Sequence, residues 1–155
     1  MIKKFNVNYS DKELSIIYDK VRNYPWQSMP NVNHWEYGTN HKYLKELCDY
    51  WIKDFNWKSY EELINSFSNF KTKVDDIDLH FIKEVGSGDS PKPLLLMHGW
   101  PGSIVEFLEI IKPLAHPEKF GGKIEDAFTI IAPSLPGFGF SDPPNKPMGP
   151  RKIAK

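Results

Sequence analysis

Two apolar runs, and what lies between them, restrict this chain more than any other feature. Residues 94–97 read Leu-Leu-Leu-Met, and residues 128–134 read Phe-Thr-Ile-Ile-Ala-Pro-Ser. A strand with one wet face alternates apolar and polar positions, whereas a strand apolar at successive positions is one covered on both faces, as in a parallel sheet. Between the runs, Ser103-Ile104-Val105-Glu106 has the spacing of a capping box, with the serine hydroxyl serving the third helical amide and the glutamate reaching back. Phe107, Leu108 and Ile111 follow on one helical face. Strand, helix and strand in that order predict a crossover with parallel strands, and hence an α/β fold.

The residues ahead of this unit obey a different pattern. Ser10-Asp11-Lys12-Glu13 is a first capping box, after which Leu14, Ile17, Tyr18 and Val21 recur at helical spacing until Pro25. Residues 25–40 are aromatic and irregular. Leu44, Leu47, Cys48, Trp51 and Phe55 mark the apolar face of a second helix, and Ser59-Tyr60-Glu61-Glu62 is read as the cap of a third, through Leu63 and Ile64. Beyond Phe67, residues 70–74 and the alternating Ile77, Leu79 and Phe81 flank Asp75-Asp76, a plausible hairpin. The chain thus divides into a helical segment over 1–67 and the first strands of an incomplete α/β sheet over 68–155. Pro150 suits the first position of a further helix, with Ile153 and Ala154 opening its apolar face.

Composition excludes several function classes. Twenty basic residues balance twenty acidic ones in a chain of 155, so there is no net charge to draw it to nucleic acid or an anionic membrane. Cys48 is the single cysteine, which rules out an internal disulfide and a multi-cysteine zinc site. No apolar stretch follows Lys3-Lys4, and no apolar run reaches the roughly 18 residues that a membrane span requires. A cytoplasmic protein without a cofactor or metal is expected. Oligomeric state stays open, a homo-oligomer included.

The residues that carry chemistry begin at His98-Gly99-Trp100-Pro101. A strand that empties into a glycine turn leaves backbone amides at its carboxyl end, and in α/β hydrolases such a loop supplies one donor of the oxyanion hole. The Trp100 amide is the candidate donor. Gly99 and Pro101 shape the turn, the latter by stiffening it or by a cis bond. His98, with no carboxylate near it in sequence, is read as structural rather than as a base. A nucleophile is missing: no Gly-X-Ser-X-Gly elbow occurs. Ser103 is a cap, Ser141 follows glycines without a strand-to-helix turn, Cys48 sits on an apolar helix face, and Asp142 precedes two prolines in a loop. Histidines 34, 41, 80, 98 and 116 show no metal-site spacing.

Taken together, the motifs resemble those of epoxide hydrolases of the microsomal type. The matching residues are Trp35-Glu36-Tyr37-Gly38, Tyr50-Trp51, Phe55-Asn56-Trp57, Leu79-His80-Phe81-Ile82, His98-Gly99-Trp100-Pro101-Gly102-Ser103 and the stretch 133–141, in the family's order. The resemblance implies an α/β-hydrolase core and ring opening of a small-molecule epoxide to a diol, in a detoxification or related role. It also implies an aspartate nucleophile, two lid tyrosines and a histidine–acid pair. Those groups would lie beyond Lys155, the aspartate within Gly-Gly-Asp-Trp-Gly, so the 155 residues alone are expected to be inactive. Trp100 maps to the oxyanion donor. A different α/β-hydrolase reaction (dehalogenation or ester hydrolysis) and a non-catalytic product stay as alternatives. The strand at 94–97 is expected at a sheet edge, where an apolar strand invites aggregation.

Overall fold

The computed structural model describes residues 1–27 and 34–154. They form two compact units, Asn8–Tyr60 and Met1–Val7 with Glu61–Lys155. This division differs from a boundary at residue 67, for a physical reason. Strand β1 (Lys3–Lys4) pairs antiparallel with β2 (Asn69–Val74), and the Asn65 carboxamide binds the Val7 backbone at both N–H and C=O, each at 2.8 Å. Both chain segments on either side of the helical unit are therefore tied to the sheet.

In the Asn8–Tyr60 unit, helix α1 (Asp11–Arg22) starts with the expected capping box between Ser10 and Glu13. The hydroxyl and backbone amide of Ser10 both donate to Glu13, and this holds its carboxyl below the ordinary range. Helix α2 (His41–Lys53) is capped by Asn40, whose side chain accepts from the Tyr43 amide. Helix α3 (Trp57–Asn65), whose residues from Glu61 on belong to the other unit, begins two residues before the cap expected at Ser59. Asn56 accepts from the Lys58 amide at 3.0 Å and captures the helix start first, leaving Ser59 inside the first turn. Leu14 and Ile17 of α1 face Leu47 and Trp51 of α2 across an apolar groove of about 580 Å³. Part of the aromatic stretch 25–40 (residues 28–33) lies outside the described residues.

The other unit is built on a mixed five-stranded sheet in the order β1-β2-β3-β5-β4. The hairpin of β2 with β3 (Ile77–Glu84) turns at Asp75, whose φ of 51° is one that aspartate tolerates better than most residues. Next to it, β5 (Phe128–Pro133) runs antiparallel to β3 and parallel to β4 (Lys92–Leu95). Between β4 and β5 the Ser103 capping box opens a 3₁₀ turn, Ile104–Phe107, which continues as α4 (Leu108–Ala115). The α/β reading therefore holds, with the crossover where the sequence placed it.

Two expectations on strand burial need correction. Along β3 the alternation of Ile77, Leu79 and Phe81 breaks down: His80 and Ile82 on the opposite face are fully buried, and Leu79 is half-buried. The strand is interior to the sheet, and Phe5 and Phe140 pack against the His80 ring on that face. The run at 94–97, by contrast, is not buried on both faces. Leu95 is 58 % and Met97 45 % exposed, while Leu94 and Leu96, which alternate with them, are half-buried, so one face of this edge strand is open among the described residues. The core itself lies under α4, where Ile82, Ile104, Ile111 and Ile130 are sealed from water. Each such side chain stabilises the fold by about 1.5–3 kcal/mol.

One loop position tests how tightly the sheet is closed at its far end. A β-carbon on Gly86 would stand 2.6 Å from the Phe128 carbonyl oxygen and 2.6 Å from the Pro91 β-carbon. Gly86→Ala is expected to lower the free energy of unfolding by about 1–3 kcal/mol, because backbone must shift to admit the methyl. Urea denaturation of both proteins checks this, and an unchanged midpoint would show that the loop gives way at no cost.

Candidate active site

Chain ends and turns converge where β4 and β5 finish. Beyond β4 the Leu96 amide still donates to Ile131, after which His98 and Gly99 turn the chain away from the sheet. The Gly102 amide closes the turn on the Gly99 carbonyl at 2.7 Å, and the Trp100–Pro101 peptide is cis. A β-carbon at Gly102 would overlap Glu106 Oε1, which reaches back to the Ser103 amide at 3.1 Å. Glycine at 102 thus lets the helix cap and the turn share one small space. Among the described residues the Trp100 amide donates to no protein group, and the Trp100 side chain is 84 % exposed. The turn therefore offers an N–H at the carboxyl end of a parallel strand, where an anionic oxygen would find a donor already in place.

His98 joins this turn to the neighbouring loop. Its ring is 5 % exposed. Nε2 accepts the Leu135 amide at 3.1 Å, so the ring proton sits on Nδ1, which faces the Gly99 carbonyl at 3.4 Å. The ring also meets Phe138 edge-on at 5.5 Å. These contacts make His98 a bridge between the two loops, with no carboxylate among its contacts.

Two polar clusters form that no sequence pattern indicates. In the first, His80 lies fully buried between Ser134 and Asn69, with Nδ1 2.9 Å from Ser134 Oγ and Nε2 3.0 Å from Asn69 Oδ1. Burial, helped by the charge of Lys71, pulls its pKa from 6.5 down to about 4. In the second, His116 Nε2 stands 2.9 Å from Glu84, and its Nδ1 is 2.7 Å from Ser87 Oγ. The Ser87 hydroxyl in turn donates to Glu118 at 2.9 Å. Partial desolvation would raise the Glu118 carboxyl, but its backbone hydrogen bond, the Ser87 hydroxyl, Lys119 and His116 together hold it below the ordinary range. Although serine, imidazole and carboxylate adjoin here, Ser87 commits its proton to a second carboxylate, which would repel an oxyanion. The cluster fastens the connection after α4 to the end of β3. Histidine spacing could not have revealed either group, because the partners lie 11 to 54 and 29 to 32 residues away.

Of the residues read as functional, His98, Gly99, Trp100 and Pro101 form one turn. Ser103 is a cap, as expected. Ser141 is 8 % exposed and donates to the Ser134 carbonyl, so it is no free nucleophile. Asp142 lies 3.4 Å from Lys71. Among the described residues no three histidine, cysteine or acidic groups gather as a metal site, and no helix is long and apolar enough to cross a membrane.

Comparison with known proteins agrees with this architecture. Residues 2–107 match the family described as the epoxide hydrolase N terminus, and residues 92–151 match the α/β-hydrolase fold. The chain is 40 % identical to epoxide hydrolase 1 of Oryctolagus cuniculus over 149 residues, 94 % of this chain and 33 % of that protein. It is 36 % identical to the juvenile hormone epoxide hydrolase of Manduca sexta, over 94 % of this chain and 32 % of the relative. Among solved structures, the juvenile hormone epoxide hydrolase of Bombyx mori superposes on 99 % of the chain with a TM-score of 0.86 and 29 % identity, 37 % of the Bombyx mori chain being covered. The Aspergillus niger epoxide hydrolase gives 0.83 at 28 % identity, over 99 % of this chain and 40 % of its own. The chain spans about a third of the length of these curated relatives. With its N-terminal segment, its sheet order and its His-Gly-Trp-Pro turn, the chain belongs to the epoxide hydrolase family, as that family's N-terminal segment joined to the beginning of an α/β-hydrolase fold.

Proposed function

We propose that these residues serve an enzyme that opens small-molecule epoxides to vicinal diols, in a detoxification or related role, and that the 155 residues alone do not turn over substrate. In this reading an aspartate outside residues 1–155 attacks an epoxide carbon. The ring C–O bond breaks, and the ring oxygen takes a proton from a lid tyrosine. Water, deprotonated by a histidine, then adds to the carbonyl carbon of the resulting ester. The tetrahedral oxyanion collapses: the leaving alkoxide takes the histidinium's proton to complete the diol, and the carboxylic acid's proton goes back to the tyrosinate, returning the carboxylate. The contribution of this chain falls on that second half. The Trp100 amide stabilises the oxyanion, while His98, Gly99 and Pro101 hold the turn that presents it.

The observation that carries the proposal is the Trp100 N–H, without a protein acceptor among the described residues, at the end of a parallel strand in a chain of this family. No cofactor enters the chemistry. The test is turnover of a panel of aliphatic and aryl epoxides by the 155-residue chain and by the longest product of its gene. A single turnover in ¹⁸O-water is added for the longer product. Diol is expected from the longer product only, with the label entering the enzyme carboxylate before the diol. No diol from the longer product would overturn the assignment. Turnover by the shorter chain would overturn its inertness.

A further inference from the structure

Resting on the oxyanion reading above, we propose that His80 is a positioning residue: as a neutral imidazole it locks, through Ser134 and Ser141, the turn at 135–140 that His98 ties to the Trp100 loop. The hydrogen bonds leave His80 one arrangement. Asn69 spends both amide protons on the Ile64 and Phe67 carbonyls, at 2.8 and 2.9 Å, so the atom it turns to His80 is an acceptor. His80 Nε2 must then carry the ring proton, and Nδ1 must accept from the Ser134 hydroxyl. The backbone of His80 grips the same loop from the other side. Its N–H donates to Ser141 Oγ at 2.8 Å, its carbonyl accepts the Ser134 amide at 2.9 Å, and Ser141 Oγ donates onward to the Ser134 carbonyl at 2.7 Å. Phe5 and Phe140 cover the ring edge-on at 5.3 and 5.2 Å.

The loop so held is the one that carries the Leu135 amide to His98. Gly139, at a φ of 51°, passes so close that a β-carbon there would stand 2.7 Å from Ser134 Oγ. The glycine leaves the Ser134 hydroxyl room to face the imidazole. Protonating His80 at Nδ1 would turn that hydroxyl from donor to acceptor and put a charge in a site fully closed to water. The elements packed around this imidazole carry Lys71, its register partner on β2, Asp142 at the end of the loop and Asp78 on its own strand. Asp142 lies 3.4 Å from Lys71 and receives no hydrogen bond from the imidazole, so it does not stabilise an imidazolium there.

Amide hydrogen exchange on the 155-residue chain tests this without substrate, at pH 7 and pH 4 after correction for intrinsic rates. In the unaltered chain, acid is expected to speed exchange at Leu135 and Phe138 at least tenfold, with a free energy of opening there that stays below that of Ile130 in β5 at both pH values. His80→Gln places a carboxamide that can donate to Asn69 and accept from Ser134, and should abolish that acid response while keeping protection at pH 7. Equal acid responses in the two proteins, or a flat response in the unaltered chain, would overturn the proposal. His98→Asn separates the other imidazole: if it alone removes the response, the effect belongs to His98 and His80 is not the lock. Because no turnover is measured, a failed oxyanion reading and a failed lock show up in different experiments.

Discussion

Acidification from pH 7 to pH 4 is expected to cost the sheet-bearing unit about 3 kcal/mol through His80 alone. The sign follows from proton binding. His80 titrates about 4 in the folded chain, against 6.5 when solvated, because burial disfavours the imidazolium and the Lys71 charge adds to that. Between those values the unfolded chain binds a proton that the folded chain refuses, so acid draws the equilibrium toward unfolding. The contribution is complete above pH 6.5 and is lost as the pH falls through about 4. Carboxylates titrate over part of the same range, so the measurement is a difference. Urea unfolding followed at the β5 amides of the unaltered chain and of His80→Gln should diverge by about 3 kcal/mol on going to pH 4. Parallel pH profiles would show that the folded site accepts the proton without penalty.

The second large effect concerns Trp100. In the longest product of the gene, removing its N–H should lower kcat by about 10²–10³-fold, equivalent to about 2.7–4 kcal/mol of transition-state stabilisation. Trp100→Pro deletes the donor but also stiffens a turn already followed by Pro101. An ester in place of the amide at residue 100, introduced as the α-hydroxy acid, removes the same proton with less change of shape. Trp100→Ala keeps the amide and should leave kcat within a few-fold, since the indole is largely exposed in the described residues. A kcat as low in the alanine variant as in the ester would mean that the side chain, rather than the backbone, does the work. A kcat equal to that of the unaltered enzyme in all three would remove Trp100 from the mechanism.

Much of the fold was legible because it is written in short-range chemistry. The capping boxes at Ser10 and Ser103 are formed by residues three apart, and both occur in the structure. The paired strands β4 and β5 announced themselves as apolar runs, and the crossover helix as a repeat of Leu108 and Ile111. The third helix was misplaced because Asn56 and Ser59 compete for one helix start, and local pattern cannot rank them. Burial was misjudged where neighbours decide it: an apolar run such as 94–97 expects cover on both faces, yet the face that carries Leu95 and Met97 is open among the described residues.

The candidate site divides in the same way. By itself the sequence indicated that a glycine-proline turn follows an apolar strand, that the Trp100 amide is its candidate donor, and that the motifs resemble those of epoxide hydrolases. Those facts depend on contiguous residues. Only the tertiary structure decided what His80 and His98 do. Their partners, Ser134 and Leu135, are 54 and 37 residues distant. Sequence shows an imidazole but not which atoms will face its two nitrogens, and those atoms set its proton and its charge. That is a property of how strands and loops are brought together, and no local pattern contains it.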